Sequence, residues 1–393
     1  MLMAQIVVTG LVLGLLALIV EAAVLASARR RVPVRILVTG TRGKSSVVRL
    51  IHRAMMERGL AAVAKVTGSA ARILLPNGIE KPVRRHGRAS ILEQRHLLVG
   101  AARRSSRFLI VEAMAIDPEV ARAEAETIIR PTHVVVTNAR IDHLGPAGDT
   151  VVSVAEALAC SVPASARTYL LRSELAGEAG PVLRDAVSDL VAVTPQVEAV
   201  AEDEDLSSFP FRDNISLAVH VCQDLGISRA SVLRAARTAP PDPGAFRLHR
   251  ATSGDAVILN AFAANDPLST QRILQSSRAA HPELAVRDTV VVLNVREDRA
   301  DRTKLWIDHL CKPEWAADLL VLLGDRAQCV AASRLLRASV DGPVLCPRLH
   351  RPSEITDYLV TLRPSSLLLC VGNFADTGKR LTEYWDEVLQ QYG

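Results

Sequence analysis

Seven consecutive residues, Gly40, Thr41, Arg42, Gly43, Lys44, Ser45 and Ser46, combine the residue types needed to hold the phosphates of a nucleotide. They follow a short aliphatic run, Ile36–Val38, and precede Val47, Leu50, Ile51, Ala54 and Met55, which share one helical face. A glycine-rich turn between a strand and a helix start aims backbone N–H groups at one point, where the helix dipole adds positive charge. Lys44 would reach the β- and γ-phosphates of ATP, and the Ser45 hydroxyl would help to hold Mg2+.

Further along, Glu112 closes the run Phe108-Leu-Ile-Val-Glu. A parallel strand delivers its last side chain to the ligand crevice, so this carboxylate would either bind Mg2+ or cap the segment that follows. The next aliphatic run ends in Thr137-Asn138-Ala-Arg-Ile-Asp142-His143, with an amide, a carboxylate and an imidazole in one loop. Asn214 opens a helical pattern, where its amide suits an adenine edge or a helix cap. The arginines at 84, 85, 88, 95, 103, 104 and 107 read either as an exposed helix face or as a surface guiding a polyanion. On the second reading Arg85 and Arg88 are candidate substrate contacts. No aromatic residues interleave with them to stack bases, so the expected partner is not nucleic acid.

The position five residues before Gly43 is Val38, so the first glycine of the loop is Gly40. This compact Thr39-Gly-Thr-x-Gly-Lys-Ser form resembles the Mur ligase superfamily, ATP-dependent ligases that join an amino acid to a carboxylate. Thr137-Asn138-x-x-x-Asp142-His143 is similar to a second signature of the same family. The resemblance implies that His143 approaches a second metal and the γ-phosphate, and that Asn138 belongs to the loop geometry. It implies also that Asn214 reads adenine, that Arg247 lies against the phosphates, and that Asn260 to Pro267 form a nucleotide loop.

Two departures stand out. The ribose-facing aspartate of the family is Asn260 here, which removes a charged acceptor. No lysine lies between Lys81 and Lys304, so the carbamylated lysine of many members cannot come from its usual segment. Glu156, a water, or a single firmly bound metal are the alternatives. Murein-building members also carry an N-terminal domain for a UDP-linked substrate, for which no room precedes this loop. The remaining plan resembles folylpolyglutamate synthases and, over nearly the whole soluble chain, the ligase subunit of capsular poly-γ-glutamate synthases. The segments Lys65–Ala70, Val111–Met114, Asn265-Asp-Pro267 and Asn294–Thr303 carry that second likeness. Within the last of these, Arg296, Arg299 and Arg302 would bind substrate carboxylates or form a surface ion-pair cluster.

The elements that must position these residues follow from the aliphatic pattern. Ile36–Val38, Phe108–Val111, His133–Thr137, Thr168–Leu171 and Asp189–Val193 alternate with helical segments, which predicts a mostly parallel, doubly wound sheet. The Pro-rich stretch Thr238–Gly244 interrupts both signals and reads as a linker. A second α/β series follows at Ala256–Leu259, Thr289–Leu293, Leu319–Leu323, Pro343–Leu345 and Ser366–Val371. At 393 residues the chain suits two domains plus an extra element, and an aromatic content of 3% leaves packing to aliphatic side chains. Six scattered cysteines show no metal or disulfide spacing and read as buried hydrophobes in a reducing compartment.

The extra element is N-terminal. Ile6–Val20 carries no charge, Glu21 interrupts, and Ala22–Ala28 continues apolar before Arg29, Arg30 and Arg31. At about 1.5 Å per residue this stretch roughly crosses a hydrocarbon core of about 30 Å. Arginines on its C-terminal side predict a cytoplasmic body, and the absence of positive charge before the run argues against a secretory signal. The expected organisation is a single-pass membrane anchor over 1–31, an α/β P-loop domain over 32–240 resembling a Mur ligase, and a smaller Rossmann-like α/β domain over 241–393. The expected activity is an ATP- and Mg2+-dependent carboxylate–amine ligase that extends poly-γ-glutamate through an acyl phosphate at the cytoplasmic membrane face. The alternatives are a folate-type polyglutamate ligase and a membrane-anchored P-loop kinase or ATPase regulating polymer export. The resemblance implies glutamate and its polymer as substrates and small membrane subunits as partners, and it leaves self-association open.

Overall fold

The computed structural model describes residues 2–67, 71–85, 87, 89–140, 148, 150–195, 212–238, 246–252, 254–264, 266–312, 315, 317–340 and 342–392. Several predicted features therefore lie outside the described residues: Asp142, His143, Arg88, Asn265, the acidic run at 202–205 and residues 239–244 of the Pro-rich stretch. The chain divides into two compact units, Met1–Pro240 and Pro241–Gly393.

Among the described residues, unit 1 is built on eight strands: β1 (Val34–Thr39), β2 (Ala62–Val66), β3 (Arg72–Leu74), β4 (Glu80–Pro82), β5 (Phe108–Glu112), β6 (His133–Val136), β7 (Arg167–Leu171) and β8 (Asp189–Val193). They lie in the order β4-β3-β2-β5-β1-β6-β7-β8. All neighbours from β2 to β8 pair in parallel, while β3 and β4 add an antiparallel edge. A parallel strand covered by helices on both faces reads as an unbroken aliphatic run. Accordingly Ile36, Leu37 and Val38 are all fully buried. Ile36 and Val38 face a layer that contains Val47, Ile51, Ala54, Leu217 and Val221, whereas Leu37 faces Leu98, Ala101 and Ile129.

The N-terminal residues form one helix, α1 (Leu2–Arg31), with no proline to interrupt it. Its large apolar residues from Ile6 to Val20 are each 51–70% exposed. Leu25, Ala28 and Val32, by contrast, join the unit 1 core. Two arginines near its end are structural: Arg29 in its last turn donates to the carbonyls of Thr127 and Ile128, and Arg35 in β1 collects those of Arg29, Val32, Pro33, Ile129 and Arg130. Two further helices matter below, α2 (Lys44–Glu57) and α3 (Leu92–Arg103).

The described residues of unit 2 include seven strands, β9 (Arg247–Arg250), β10 (Val257–Asn260), β11 (Thr289–Val295), β12 (Leu319–Gly324), β13 (Val344–Leu345), β14 (Leu367–Gly372) and β15 (Gln390–Gln391). Their order is β13-β12-β11-β14-β10-β9-β15, parallel from β13 to β10, with β9 antiparallel to both of its neighbours. All ten aliphatic runs are strands, and the mostly parallel sheets agree with expectation. The strands that sequence reading did not find are β2, β3, β4, β9 and β15. They are short or carry charge, as in Ala-Val-Ala-Lys-Val and Arg-Leu-His-Arg, so neither an aliphatic run nor an alternation marks them.

With few aromatic residues, each large ring is an anchor. Trp385 is fully buried, stacks on Phe262 at 6.1 Å, and donates its indole N–H to Thr356 Oγ1 at 2.9 Å. Trp385→Ala should lower the unfolding free energy of unit 2 by about 3–5 kcal/mol in urea denaturation followed by circular dichroism. Trp385→Phe should recover most of the loss, since it forgoes chiefly one hydrogen bond of about 1 kcal/mol.

Candidate nucleotide-phosphate site

Three adjacent strands, β5, β1 and β6, end side by side and supply the residues singled out above. The chain leaves β1 for the β2 side of the sheet and later leaves β5 for β6 on the opposite side of β1. A crevice at the carboxyl ends forms where the connections diverge in this way. The loop after β1 needs glycine at two points. Gly40 has φ +122°, and a Cβ there would lie 2.2 Å from Thr137 Oγ1. Gly43 has φ +81° and precedes the first residue of α2, and a Cβ on it would meet Asn214 Oδ1 at 2.5 Å.

Asn138 clamps the loop between them. Its Oδ1 accepts from Thr41 Oγ1 at 2.6 Å and from the Arg42 amide at 3.0 Å, while its Nδ2 donates to Arg42 O at 3.2 Å. Its own carbonyl accepts from the Thr41 amide at 3.1 Å. Lys44 Nζ donates to Gly40 O at 2.6 Å, so the ammonium lies against the loop backbone. Ser46 sits in the first turn of α2. Asn214, 7% exposed on the helix Arg212–Asp224, walls the loop from the other side.

Glu112 is 4% exposed, yet its carboxylate is provided for. Oε2 accepts from Ser45 Oγ at 2.8 Å and from the Thr67 amide at 2.7 Å. A hydroxyl and a carboxylate in contact form the start of an all-oxygen ligand set, which suits Mg2+ rather than a softer metal. Among the described residues no group of three His, Cys, Asp or Glu converges elsewhere as a metal cluster.

Behind Glu112 lies a polar layer that sequence reading missed. Gln94 on α3 donates through Nε2 to Glu112 O at 3.0 Å and to Glu124 Oε1 at 2.9 Å. Glu124, on the π-helical segment Ala123–Ile129, also accepts from the Met114 and Ala115 amides at 3.1 Å. Burial raises its pKa, and those donors oppose the shift. Lys65 is 1% exposed and pairs with Glu93 at 2.8 Å. Burial lowers the Lys65 pKa, and the bond and charge of Glu93 work against that. Burial pushes the Glu93 carboxyl up, but bonds from Arg85 and Lys65 overcome it and bring the pKa to about 2. Lys65 was legible only as part of a family-like segment, because a lysine in a five-residue run weakens the strand signal.

The remaining candidates are placed as follows. Arg85 is engaged bidentately by Glu93, at 2.8 and 3.2 Å. Glu156 is exposed on the helix Val151–Ala159 and bonds none of the loop residues. In unit 2, Arg247 pairs with Asp386 at 2.6 Å, and Asn260, 2% exposed, donates to Thr382 Oγ1 at 2.9 Å. Arg302 is 9% exposed and donates to Asn373 Oδ1, while Arg299 reaches Asp301 at 3.5 Å. Arg296, paired with Asp298 and Asp376, lines a cavity of ≈ 680 Å³ at the carboxyl ends of β11 and β12. Arg380, His350, Asp298, Asp325 and Asp376 share that lining. So does Asn294, which is 1% exposed, donates through Nδ2 to Asn373 O, and has no hydrogen-bond partner for Oδ1. The candidates are thus split between the two units: the phosphate loop, Glu112, Asn138 and Asn214 come together in unit 1, and Arg247, Asn260, Arg296, Arg299 and Arg302 belong to unit 2.

Comparison with known proteins adds the following. Residues 38–159 match the Mur ligase middle domain, and residues 246–388 match the poly-gamma-glutamate synthase CapB C-terminal domain. The chain is 28% identical over 363 residues to PGA synthase CapB of Bacillus subtilis (strain 168), covering 89% of this chain and 90% of that protein. It is 32% identical over 302 residues to the capsule biosynthesis protein CapB of Bacillus anthracis, covering 75% of this chain and 64% of the relative. Among solved structures, E. coli FolC in complex with DHPP and ADP superposes with a TM-score of 0.63 at 16% identity, covering 94% of this chain and 91% of FolC. That likeness is one of fold.

Two outcomes test this geometry. Gly43→Ala should weaken binding of a fluorescent ATP analogue by about tenfold or more, since the new methyl strains φ and pushes Asn214 outward. The depressed Glu93 pKa contributes stability that is present above its unfolded value of 4.5 and is lost as pH falls towards about 2. Denaturant titrations should show that acid-side slope in the wild type and a shallower one in Glu93→Gln.

Proposed function

Because the chain belongs to the Mur ligase/CapB family of ATP-dependent, amide-forming ligases, we propose that it adds glutamate to the end of a γ-linked polyglutamate chain. The observation that carries this reading is the contact of Ser45 with Glu112 beside the Gly40–Lys44 loop. That contact supports the reading, since it would bring a phosphate cradle and a hard-cation ligand pair to one crevice.

In the proposed reaction a carboxylate oxygen of the growing chain attacks the γ-phosphorus of ATP. The bond from phosphorus to the bridging oxygen breaks, and ADP leaves with the electron pair, giving an acyl phosphate. The amine of the incoming glutamate, having lost its extra proton to solvent or a base, then attacks the acyl carbon. The new C–N bond forms as the C–O bond to phosphate breaks and inorganic phosphate departs. The loop amides and Lys44 hold the phosphates in line and offset their charge, which is the main catalytic contribution in phosphoryl transfer. Ser45 and Glu112 would hold Mg2+, which when bound neutralises charge on the β- and γ-phosphate oxygens. His143, outside the described residues, is proposed as a further contact near the γ-phosphate.

The unit 2 cavity suits the amino-acid substrate. Glutamate presents two carboxylates and an ammonium, and the lining offers Arg296 and Arg380 together with Asp298, Asp325 and Asp376. Asn294 Oδ1, buried and without a partner, is an acceptor that a bound ammonium would satisfy. The exposed apolar helix supports a place at the cytoplasmic face of the cell membrane. There the enzyme would act with small membrane subunits of the same synthase, because a capsular polymer must leave the cell.

Incubation with ATP and radiolabelled glutamate should yield polymer, ADP and phosphate. Lys44→Ala should cut glutamate-dependent phosphate release by about 100-fold or more, with an unchanged circular dichroism spectrum. Release of AMP would point to adenylation, and label transferred from ATP to protein would point to a kinase; either result replaces this reading.

A further inference from the structure

The way α1 joins unit 1 determines which edge of the sheet meets the lipid. The helix ends at Arg31 and β1 begins at Val34, next to the start of β5, since the Val34 amide donates to Arg107 O at 3.2 Å. The C-terminus of α1 therefore lies at the amino edge of the sheet. Helix α3 ends at Arg103 and runs into β5 at Phe108, so it also descends to that edge. Its first turn is at the opposite, carboxyl edge, where Gln94 bonds to Glu112 O.

The next residue, Arg95, pairs with Glu21 at 2.6 Å. Glu21 is thus level with the phosphate site: it touches Arg95, whose neighbour Gln94 touches Glu112, which in turn touches Ser45. Helical rise gives the same answer. From Arg31 back to Glu21 the axis climbs about 15 Å, and β1 climbs about 16 Å from Val34 to Thr39. Above Glu21 the helix has left the domain, and its apolar side chains are exposed on every side.

Below Glu21 the helix face bearing Leu25 and Ala28, 5% and 4% exposed, is packed in protein, so only the part above Glu21 is open to lipid all round. The uncharged part from Leu2 to Val20 would rise about 28 Å, close to the thickness of a hydrocarbon core. We propose that α1 sets the carboxyl edge of the eight-stranded sheet, with the phosphate loop and Glu112, against the bilayer surface, with Leu92 and Arg95 at the headgroups. This rests on the membrane reading of α1 and goes beyond it by assigning the face. Arg29, Arg30 and Arg31, the positive flank in the sequence, then stand about 15 Å away from the lipid, and Arg29 bonds backbone carbonyls of the domain instead. A rigid helix without a linker makes the placement geometric: the chain end to be extended would be held at the membrane surface.

The test uses the full chain in vesicles of phosphatidylcholine with a minority of phosphatidylglycerol and a headgroup-spin-labelled lipid. The three partly buried cysteines, Cys160, Cys311 and Cys346, are changed to serine. A fluorophore is then attached at Leu92→Cys, 50% exposed at the carboxyl edge, or at Arg107→Cys, exposed at the amino edge. Quenching should be several-fold stronger at position 92 than at 107. Equal quenching, or stronger quenching at 107, in protein that floats with the vesicles overturns the assigned face alone. Protein that stays out of the vesicle fraction overturns the membrane reading of α1 and the orientation with it.

Discussion

A carboxylate with 4% exposure has to be given hydrogen-bond donors or a cation, because its desolvation otherwise outweighs whatever packing it gains. Glu112 is that group, and the arrangement of unit 1 around it follows from the need. The Ser45 hydroxyl comes from the helix after β1, the Thr67 amide from the end of β2, and the grip on its main chain from Gln94 on α3. Each donor belongs to a different element: the carboxylate needs α2 and the end of β2 in place, and α3 holds the residue's main chain. The same contacts leave a hydroxyl and a carboxylate facing the phosphate loop, which ties the folding requirement to the chemistry.

Unit 2 solves a parallel problem with amides. Asn294 and Asn373 each donate a side-chain N–H to the other's carbonyl, at 2.6 and 3.1 Å, and lock the ends of β11 and β14 together. Gly372 has φ +100°, and a Cβ there would fall 2.5 Å from Asn294 O, so close approach of these strand ends depends on its lacking a side chain. Buried Arg302 supports Asn373 from below. Locking of this kind pre-organises the cavity beside it, where Arg296 and Arg380 sit among three aspartates. A mixed-charge lining holds its cations in place without letting them collapse onto one carboxylate.

Legibility differed by element. The loop after β1 was readable as a strand-to-helix turn because glycine, lysine and serine at short spacing need only their own strand and helix to form it. Glu112 and Asn138 were readable because parallel strands deliver their last residues to one edge. Asn138 turned out to clamp the loop, through contacts with Thr41 and Arg42 that lie 97 and 96 residues away in the chain. Gln94 and Glu124 were not readable, since each is polar and carries no motif, and Lys65 was readable only as part of a family-like segment. Only packing shows that Gln94, Glu124 and Lys65 are buried at 0%, 1% and 1% exposure behind the site. The arginines of the segment 84–107 and of Asn294–Thr303 looked alike as surface charge, yet Arg85 and Arg95 form ion pairs, Arg302 is a buried strut and Arg296 lines the cavity.

By itself the sequence determined the α/β class, the ten aliphatic strands, the glycine-rich turn between β1 and α2 and an apolar N-terminal helix, because these are local: periodicity, spacing and uninterrupted hydrophobicity act over a few residues. What the tertiary structure alone decided was how distant polar groups meet. It set the partners of Glu112, the burial of Lys65 and the use of Arg29 as a strut. It also placed Glu21 level with the carboxyl edge of the unit 1 sheet, through Arg95 beside Gln94. Such choices depend on which strands become neighbours, and long-range pairing is settled by burial and hydrogen-bond satisfaction that no short stretch of chain contains.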